Sequence, residues 1–158
     1  MSAKYHGMRI ERIIDGKKRF LALLLEADEQ ESMLDRYLQR GEMHAMFSAA
    51  GEAVCVAVVT DEGGGTCELK NLAVAPSVRR QGVGRSMVEH LRREYAPRFA
   101  RMIVGTGNAP RTVGFYRACG FEYSHTVEHF FTRNYDHVIV DDGQVLDDML
   151  YFSLALQA

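Results

Sequence analysis

The stretch from Glu68 to Leu91, ELKNLAVAPSVRRQGVGRSMVEHL, constrains the fold of this chain more than any other feature. Its first part, which ends at Val74, has the apolar and β-branched content typical of a buried strand. Its last part carries apolar residues at helical spacing, which predicts an amphipathic helix. The short connection between them, Arg79–Gly84, is basic and rich in glycine. The chain therefore passes from a buried strand through a basic loop into a helix.

The basic loop has the properties of an anion-binding site. The first N–H groups of a helix have no partner within the helix, and the helix dipole favours negative charge at that end. Gly82 and Gly84 would let a phosphate approach the backbone without meeting a Cβ atom. Arg79 and Arg80 add positive charge next to these N–H groups. The sequence therefore predicts a ligand that carries phosphate groups.

Two familiar phosphate-binding loops do not fit this segment. The pattern GxxxxGK[ST] of the P-loop does not occur in the chain. The dinucleotide fingerprint GxGxxG requires a third glycine, and Met87 stands at that position after Gly82 and Gly84. What remains is the pattern R-x-x-G-x-G at the start of a helix. The absent third glycine argues against a nucleotide-dependent oxidoreductase.

The remaining sequence predicts helices that alternate with strands, so the fold class is α/β or α+β with a mixed sheet. Strands are expected at residues 8–14, 43–49, 52–60, 66–74, 102–105, 121–127, 130–132 and 149–156. Helices are expected at residues 17–25, 29–38 and 84–95, and between Asn108 and Gly120. Asn108 is expected near the cap of this last helix, with Pro110 in the first turn. The pattern shows no internal repeat or linker, which predicts a single domain over residues 1–158.

Composition narrows the classes of function. The formal charge is −2, and charged residues make up 25% of the chain, so nucleic acid is not an expected partner. An odd number of cysteines, three, without a CxxC spacing, indicates a reducing compartment. No apolar run is long enough to span a membrane, which predicts a cytoplasmic protein without a membrane partner. The histidines show no spacing typical of a metal site, so no metal is expected.

Two segments together resemble the GNAT superfamily of N-acetyltransferases, and the C-terminal segments HFFTRNYD and DDMLYFSL are similar to its small bacterial members. The RRQGVG segment is similar to the family's pyrophosphate loop, NLAV to its central strand, and NAPRTVGFYRACGFE to its downstream helix. The resemblance implies a strongly twisted mixed sheet, split around an acetyl-CoA site, with helices on both faces. It also implies that acetyl-CoA is the co-substrate. The implied cofactor-binding residues are Leu72, Ala73, Val74, Arg79, Arg80, Gln81, Gly82, Val83, Gly84, Arg85, Ser86, Asn108 and Tyr116.

The same resemblance assigns Tyr116 as the general acid that protonates the departing CoA thiolate. A tyrosine at this position could instead belong to the core, and the sequence leaves that alternative open. Glu68 is the candidate general base, since an ammonium acceptor must lose a proton before it attacks. Glu68 could instead be an ion-pair partner of Lys70 or of an arginine. Some family members carry the base on the next strand, which here has no carboxylate.

The expected reaction is direct transfer of the acetyl group to a primary amine, either of a small molecule or of a protein. The backbone N–H of Val74 would polarise the thioester carbonyl. The alternative is a non-catalytic acyl-CoA-binding regulatory module on the same fold. We expect a cationic acceptor because the chain holds two acidic groups away from the arginine loop. They comprise Asp28, Glu29 and Glu31, and then Asp136, Asp141, Asp142, Asp147 and Asp148. The alternative is that these acids are solvated loop residues without a role in binding. A homodimer is left open.

Overall fold

The computed structural model describes residues 8–157 as a mixed α/β structure with a seven-stranded sheet. The strands of this sheet follow the order β1-β2-β3-β4-β5-β9-β6, and a separate two-stranded sheet pairs β7 with β8. The elements are β1 (Arg9–Ile13), α1 (Leu21–Ala27), α2 (Glu31–Leu34), β2 (Glu42–Phe47), β3 (Ala53–Gly63), β4 (Thr66–Val74), α3 (Val83–Tyr95), β5 (Arg101–Thr106), α4 (Pro110–Ala118), β6 (Glu122–Val127), α5 (Phe130–Asn134), β7 (Val140–Asp141), β8 (Gln144–Val145) and β9 (Met149–Ala155). The expected fold class is confirmed.

The chain forms two compact units. The first contains the described residues up to Asp61 together with Leu69–Glu94, and the second contains Glu62–Glu68 and the residues from Tyr95 onwards. Strands β3 and β4 contribute residues to both units. None of the helices in the described part of the chain is long and apolar enough to cross a membrane.

In the first unit, β1, β2 and β3 are antiparallel neighbours, with Ile13 opposite Met43 and Met43 opposite Val58. Alternation along these strands sends every second side chain into a core under α1 and α2. The buried members of this core are Ile13, Leu24, Leu34, Tyr37, Leu38, Met43, Ala45, Val56, Val58 and Ala73. The predicted stripe of Leu34, Tyr37 and Leu38 is therefore buried as expected.

The segment after α2 is held by a buried lysine. Lys17 donates hydrogen bonds from Nζ to the carbonyl oxygens of Leu38 at 2.9 Å and Gly41 at 2.7 Å. Helix α2 ends at Leu34, and the chain continues in turns to residue 40, although a helix over 29–38 was expected. Buried carbonyl groups in these turns require a donor, and Lys17 supplies it.

In the second unit, β9 lies between β5 and β6 and is antiparallel to both. A smaller core of Phe131, Ile139 and Leu146 packs beneath α5. The expected strand at 130–132 is wrong, because Phe130–Asn134 is a short helix. His129 precedes it with a φ of 58° and donates its N–H to the Asp148 carboxylate at 2.9 Å. This contact is distant in the sequence, so the local pattern could not indicate the turn.

Candidate functional site

The loop predicted to bind phosphate joins β4 to α3 in the first unit. A single turn of 3-10 helix, Pro76–Val78, follows the strand. Arg80 then has a φ of 63° and Gly82 a φ of 83°, both in the left-handed region. This conformation is cheap for glycine and costly for other residues. Two left-handed residues reverse the chain so that α3 begins immediately at Val83.

Helix α3 is anchored by one apolar face. Val83, Met87, Val88 and Leu91 are all buried. The burial fixes the direction of the helix, and with it the direction of the N–H groups in its first turn. The N–H of Ser86 already bonds the carbonyl oxygen of Gly82 at 3.0 Å. The N–H groups before it are the ones that a helix leaves for an anion.

The arginines of the loop have different surroundings. Arg79 donates from Nη2 to the Glu26 carboxylate at 2.9 Å and from Nε to the Val74 carbonyl at 3.3 Å. The Arg79–Glu26 pair is solvent-exposed, and such pairs contribute about 0–1 kcal/mol, so a phosphate could displace the carboxylate. Arg85 lies beside a cavity of about 430 Å³ that Gly82 and Ser86 also line. The sequence did not predict the ion pair between Arg79 and Glu26.

The predicted cofactor strand is the last part of β4. Ala73 is buried in the first core, whereas Leu72 and Val74 are half-buried. The N–H of Ala75, just beyond the strand, donates to the carbonyl of Val54 at 2.8 Å. This bond ties the end of β4 to β3. The strand therefore ends at a fixed point before the loop begins.

A buried hydrogen-bonded chain runs from β4 to the end of α1 in the first unit. Asn71 donates from Nδ2 to the Leu24 carbonyl at 3.1 Å and to the Tyr37 hydroxyl at 3.2 Å. Tyr37 in turn donates to the Asp28 carboxylate at 2.9 Å. Burial and the Asp28 charge raise the pKa of Tyr37, so its hydroxyl stays protonated. The Leu24 carbonyl oxygen can only accept a hydrogen bond, so the Asn71 amide must point its Nδ2 towards it.

This orientation leaves Asn71 Oδ1 buried and without a partner among residues 8–157. An unpaired buried acceptor costs about 1–3 kcal/mol. The sequence singled out Asn71 only for its place on the strand. Its partners Leu24 and Tyr37 could not be predicted, because they lie far away in the sequence.

The two predicted catalytic side chains lie in the second unit, and both are buried. Glu68 on β4 is 6% exposed and Tyr116 on α4 is 8% exposed. The Tyr116 ring packs edge-on against Phe115 at 5.1 Å and Phe121 at 5.6 Å between centroids. Ring packing of this kind is compatible with a core tyrosine and with a positioned acid. The catalytic role of Tyr116 therefore stays a prediction.

Helix α4 begins where the sequence predicts, with Pro110 in its first turn and Asn108 near its cap. The cap residue itself is Ala109, which makes no side-chain cap hydrogen bond, and Asn108 is one residue further out and exposed. The end of the helix is as predicted, because Gly120 has a φ of 101° and follows directly on the last turn. Cys119 is buried, as are Cys55 and Cys67, and none of these three cysteines forms a disulfide.

Sequence reasoning missed Tyr151 on β9, which lies near Glu68. Burial, and to a smaller extent the charges of Glu68 and Glu62, raise the pKa of the Tyr151 hydroxyl to about 12. The phenol is consequently protonated at neutral pH. No motif could have indicated this residue, since only the register of the sheet brings it to β5.

The predicted site residues thus form two groups. Those from Leu72 to Ser86 lie in the first unit, and Glu68, Asn108 and Tyr116 lie in the second. Within its own unit, each group has the local structure that its motif predicts.

A family model, a related protein and solved structures all indicate the same family. Residues 42–123 match the family described as "Acetyltransferase (GNAT) domain". The chain is 32% identical over 151 residues to the uncharacterized N-acetyltransferase YvbK of Bacillus subtilis, which covers 94% of this chain and 97% of that protein.

Two solved structures are similar over nearly their whole length. One is a GNAT family acetyltransferase from Elizabethkingia anophelis with acetyl-CoA bound, at 26% identity and a TM-score of 0.89, covering 95% of this chain and 99% of that one. The other is a Bacillus subtilis acetyltransferase in complex with CoA, at 29% identity and a TM-score of 0.86, covering 94% and 98%.

Proposed function

The chain belongs to the GNAT family of acetyltransferases, and from this premise we propose that it transfers an acetyl group from acetyl-CoA to a primary amine. Acetyl-CoA is the co-substrate, as in the similar structures solved with acetyl-CoA or CoA. We further infer that residues 1–158 form a single catalytic domain. The observation that carries the proposal is the loop before α3.

In this loop, Gly82 at a φ of 83° turns the backbone directly into helix α3, which begins at Val83. The pyrophosphate binds the N–H groups from Gly82 to Arg85, where no Cβ of Gly82 intervenes. An ideal Cβ at Gly82 would meet no atom within 4 Å, so the space beside it is open for a ligand. Arg80 and Arg85 contribute charge, and Arg79 does so once it leaves Glu26. The remaining contacts come from Leu72–Val74, Asn108 and Tyr116.

The reaction requires proton transfers at two side chains, Glu68 and Tyr116, and no covalent enzyme intermediate. The acceptor arrives as an ammonium ion and gives one proton to the Glu68 carboxylate. Its nitrogen then attacks the thioester carbonyl carbon, so that a C–N bond forms while the C–S electron pair leaves with sulfur. The Val74 N–H stabilises the developing oxyanion.

Tyr116 protonates the departing thiolate. The acetylated nitrogen loses its second proton, which restores the phenol, and Glu68 returns its proton to solvent. The products are the N-acetyl amine, the CoA thiol and one released proton. Binding both substrates together supplies much of the rate, because it converts a bimolecular step into one within a complex.

A cationic amine is the proposed acceptor. Many of the acids that suggested this class have local partners, such as Asp28 with Tyr37, Glu31 with Lys18, and Asp147 with Thr132 and His129. The acidic residues still favour a cationic acceptor over an anionic one. The particular amine depends on contacts that differ between proteins of one fold.

The second candidate is a non-catalytic acyl-CoA-binding module. It is favoured by one observation, that β5 carries no carboxylate in its sequence RMIVGT. Release of CoA thiol from acetyl-CoA, measured with a panel of primary amines, separates the two. The enzyme gives amine-dependent release that saturates with both substrates. Tight binding of acetyl-CoA with no release by any amine supports the module.

A further inference from the structure

Arg79, in the loop before α3, is held by two hydrogen bonds within the first unit. Its Nη2 donates to the Glu26 carboxylate at 2.9 Å, and its Nε donates to the Val74 carbonyl at 3.3 Å. Nε and Nη2 together form an edge with which a guanidinium group binds an oxyanion through parallel hydrogen bonds. A phosphate that binds Arg79 through this edge must therefore take the place of Glu26.

Glu26 stands at a position that its own helix does not favour. It lies in the last turn of α1, and that turn contains no basic residue. The C-terminal end of a helix carries a partial negative charge, so a carboxylate there is unfavourable. Its hydrogen-bond partner, Arg79, lies 53 residues away in the sequence. The stability of α1 therefore does not explain an acid at this position, whereas a role at the loop would explain it.

Opening of the Arg79–Glu26 pair would not detach α1 from the sheet. Asn71 on β4 donates from Nδ2 to the Leu24 carbonyl at 3.1 Å, and Leu24 is buried in the first core. Neither this bond nor this packing involves Arg79. The ion pair, by contrast, is exposed, and exposed pairs are weak enough to exchange with a ligand. One contact of α1 with β4 and its loop is thus structural, and the other can open.

Competition for Arg79 would affect turnover, because acetyl-CoA and CoA carry the same pyrophosphate. A contact that is equal in the substrate, the transition state and the product lowers KM without raising kcat. The same contact also retains the product CoA, and product release limits the rate of many enzymes. A carboxylate that recaptures Arg79 would weaken this retention and leave the chemical step unchanged.

We propose that Glu26 competes with the pyrophosphate of acetyl-CoA and CoA for Arg79, and that this competition speeds the release of CoA. Glu26 is then a residue that sets the affinity for the cofactor without contacting it. The proposal rests on the proposed function, because it requires the pyrophosphate to bind at the loop before α3.

The test compares Glu26→Gln with the wild type by calorimetry of CoA and acetyl-CoA binding. Loss of an exposed ion pair predicts that the variant binds both molecules about 2- to 5-fold more tightly. In an Arg79→Ala background, Glu26→Gln should leave the affinity for CoA unchanged, because the competition is gone. Glu11→Gln is the matched control, since it removes the same charge from an exposed acid whose ion-pair partner is Arg9.

Stopped-flow displacement measures the release itself. CoA should dissociate from Glu26→Gln about 2- to 5-fold more slowly, because variants of one interface differ mainly in their dissociation rates. Unchanged affinity for CoA or an unchanged dissociation rate in Glu26→Gln would overturn the competition. An equal effect in the Arg79→Ala background, or in Glu11→Gln, would overturn it as well. If the wild type bound neither CoA nor acetyl-CoA, the proposed function itself would fail.

Discussion

Tyr116 is a residue whose packing and chemistry can be tested separately. Its ring contacts Phe115 and Phe121, and a phenylalanine would keep both contacts. Tyr116→Phe should lower kcat by about 100-fold with little change in acetyl-CoA affinity, because the hydroxyl acts only as the thiolate leaves. Steady-state kinetics and calorimetry measure the two quantities. An unchanged kcat, measured on a substrate for which the chemical step is slow, would show that Tyr116 only packs in the core.

His90 on α3 predicts a pH dependence of stability. Burial lowers its pKa, and the Arg93 charge acts in the same direction while Glu94 opposes it. The folded pKa is therefore below the unfolded value of about 6.5, so the unfolded chain binds more protons as the pH falls through that value. The contribution of His90 to stability is lost on acidification.

His90→Gln should consequently lose less free energy of unfolding than the wild type between neutral pH and about pH 5. The ring of His44 lies 5.7 Å from that of His90 and remains in both proteins. Urea unfolding at several pH values measures the difference. Parallel stability curves for the two proteins would contradict this assignment.

The turn before α3 allows a prediction for a whole element. Gly82 and Gly51 have similar φ values, 83° and 88°, and neither has an atom within 4 Å of an ideal Cβ. Gly82→Ala and Gly51→Ala should therefore cost a similar free energy of unfolding, about 1 kcal/mol or more. Only Gly82→Ala should weaken the binding of acetyl-CoA, because the proposed pyrophosphate site lies at Gly82 and not at Gly51.

Arg79→Ala should weaken the binding of acetyl-CoA less than Gly82→Ala does. Arg79 forms an ion pair with Glu26, and other arginines lie nearby in the sequence. Calorimetry of the three variants gives the comparison. If Gly82→Ala bound acetyl-CoA with wild-type affinity, the proposal that the pyrophosphate binds at this loop would be wrong.

The elements differ in how far their sequence determines them. Thr66–Val74 was predicted with its bounds, because a β-rich run lies between a glycine turn and a proline. The helix Phe130–Asn134 was predicted as a strand, because its start depends on Asp148 of a distant loop. The short α2 has a similar cause, since Lys17 supports the turns that replace its last part.

At the scale of the molecule, charge predicts how the acceptor approaches. The net charge is −2, yet arginines concentrate at the cofactor loop. Added salt should lower kcat/KM for an alkylammonium acceptor more than for an amine that is neutral at the assay pH, because screening weakens the attraction of the cation. Initial rates between about 0.05 and 0.5 M salt measure this. The same salt dependence for both amines would exclude electrostatic steering.

The candidate site was predictable where a motif is continuous in the sequence. The loop from Arg79 to Gly84 meets this condition, and its glycine and arginine pattern indicated a helix start that the structure contains. Tyr151 does not, because only the pairing of β5 with β9 brings it beside β5. The partners of Asn71 are missing from the prediction for the same reason.

The most direct test of the central claim follows the acetyl group itself. The protein is incubated with acetyl-CoA labelled with ¹³C in the acetyl group and with benzylamine, and both products are quantified. The proposed function predicts labelled N-acetylbenzylamine and free CoA in equal amounts, with both reduced about 100-fold in Glu68→Gln. Absence of the amide while acetyl-CoA binds, or release of CoA that does not depend on the amine, would contradict it.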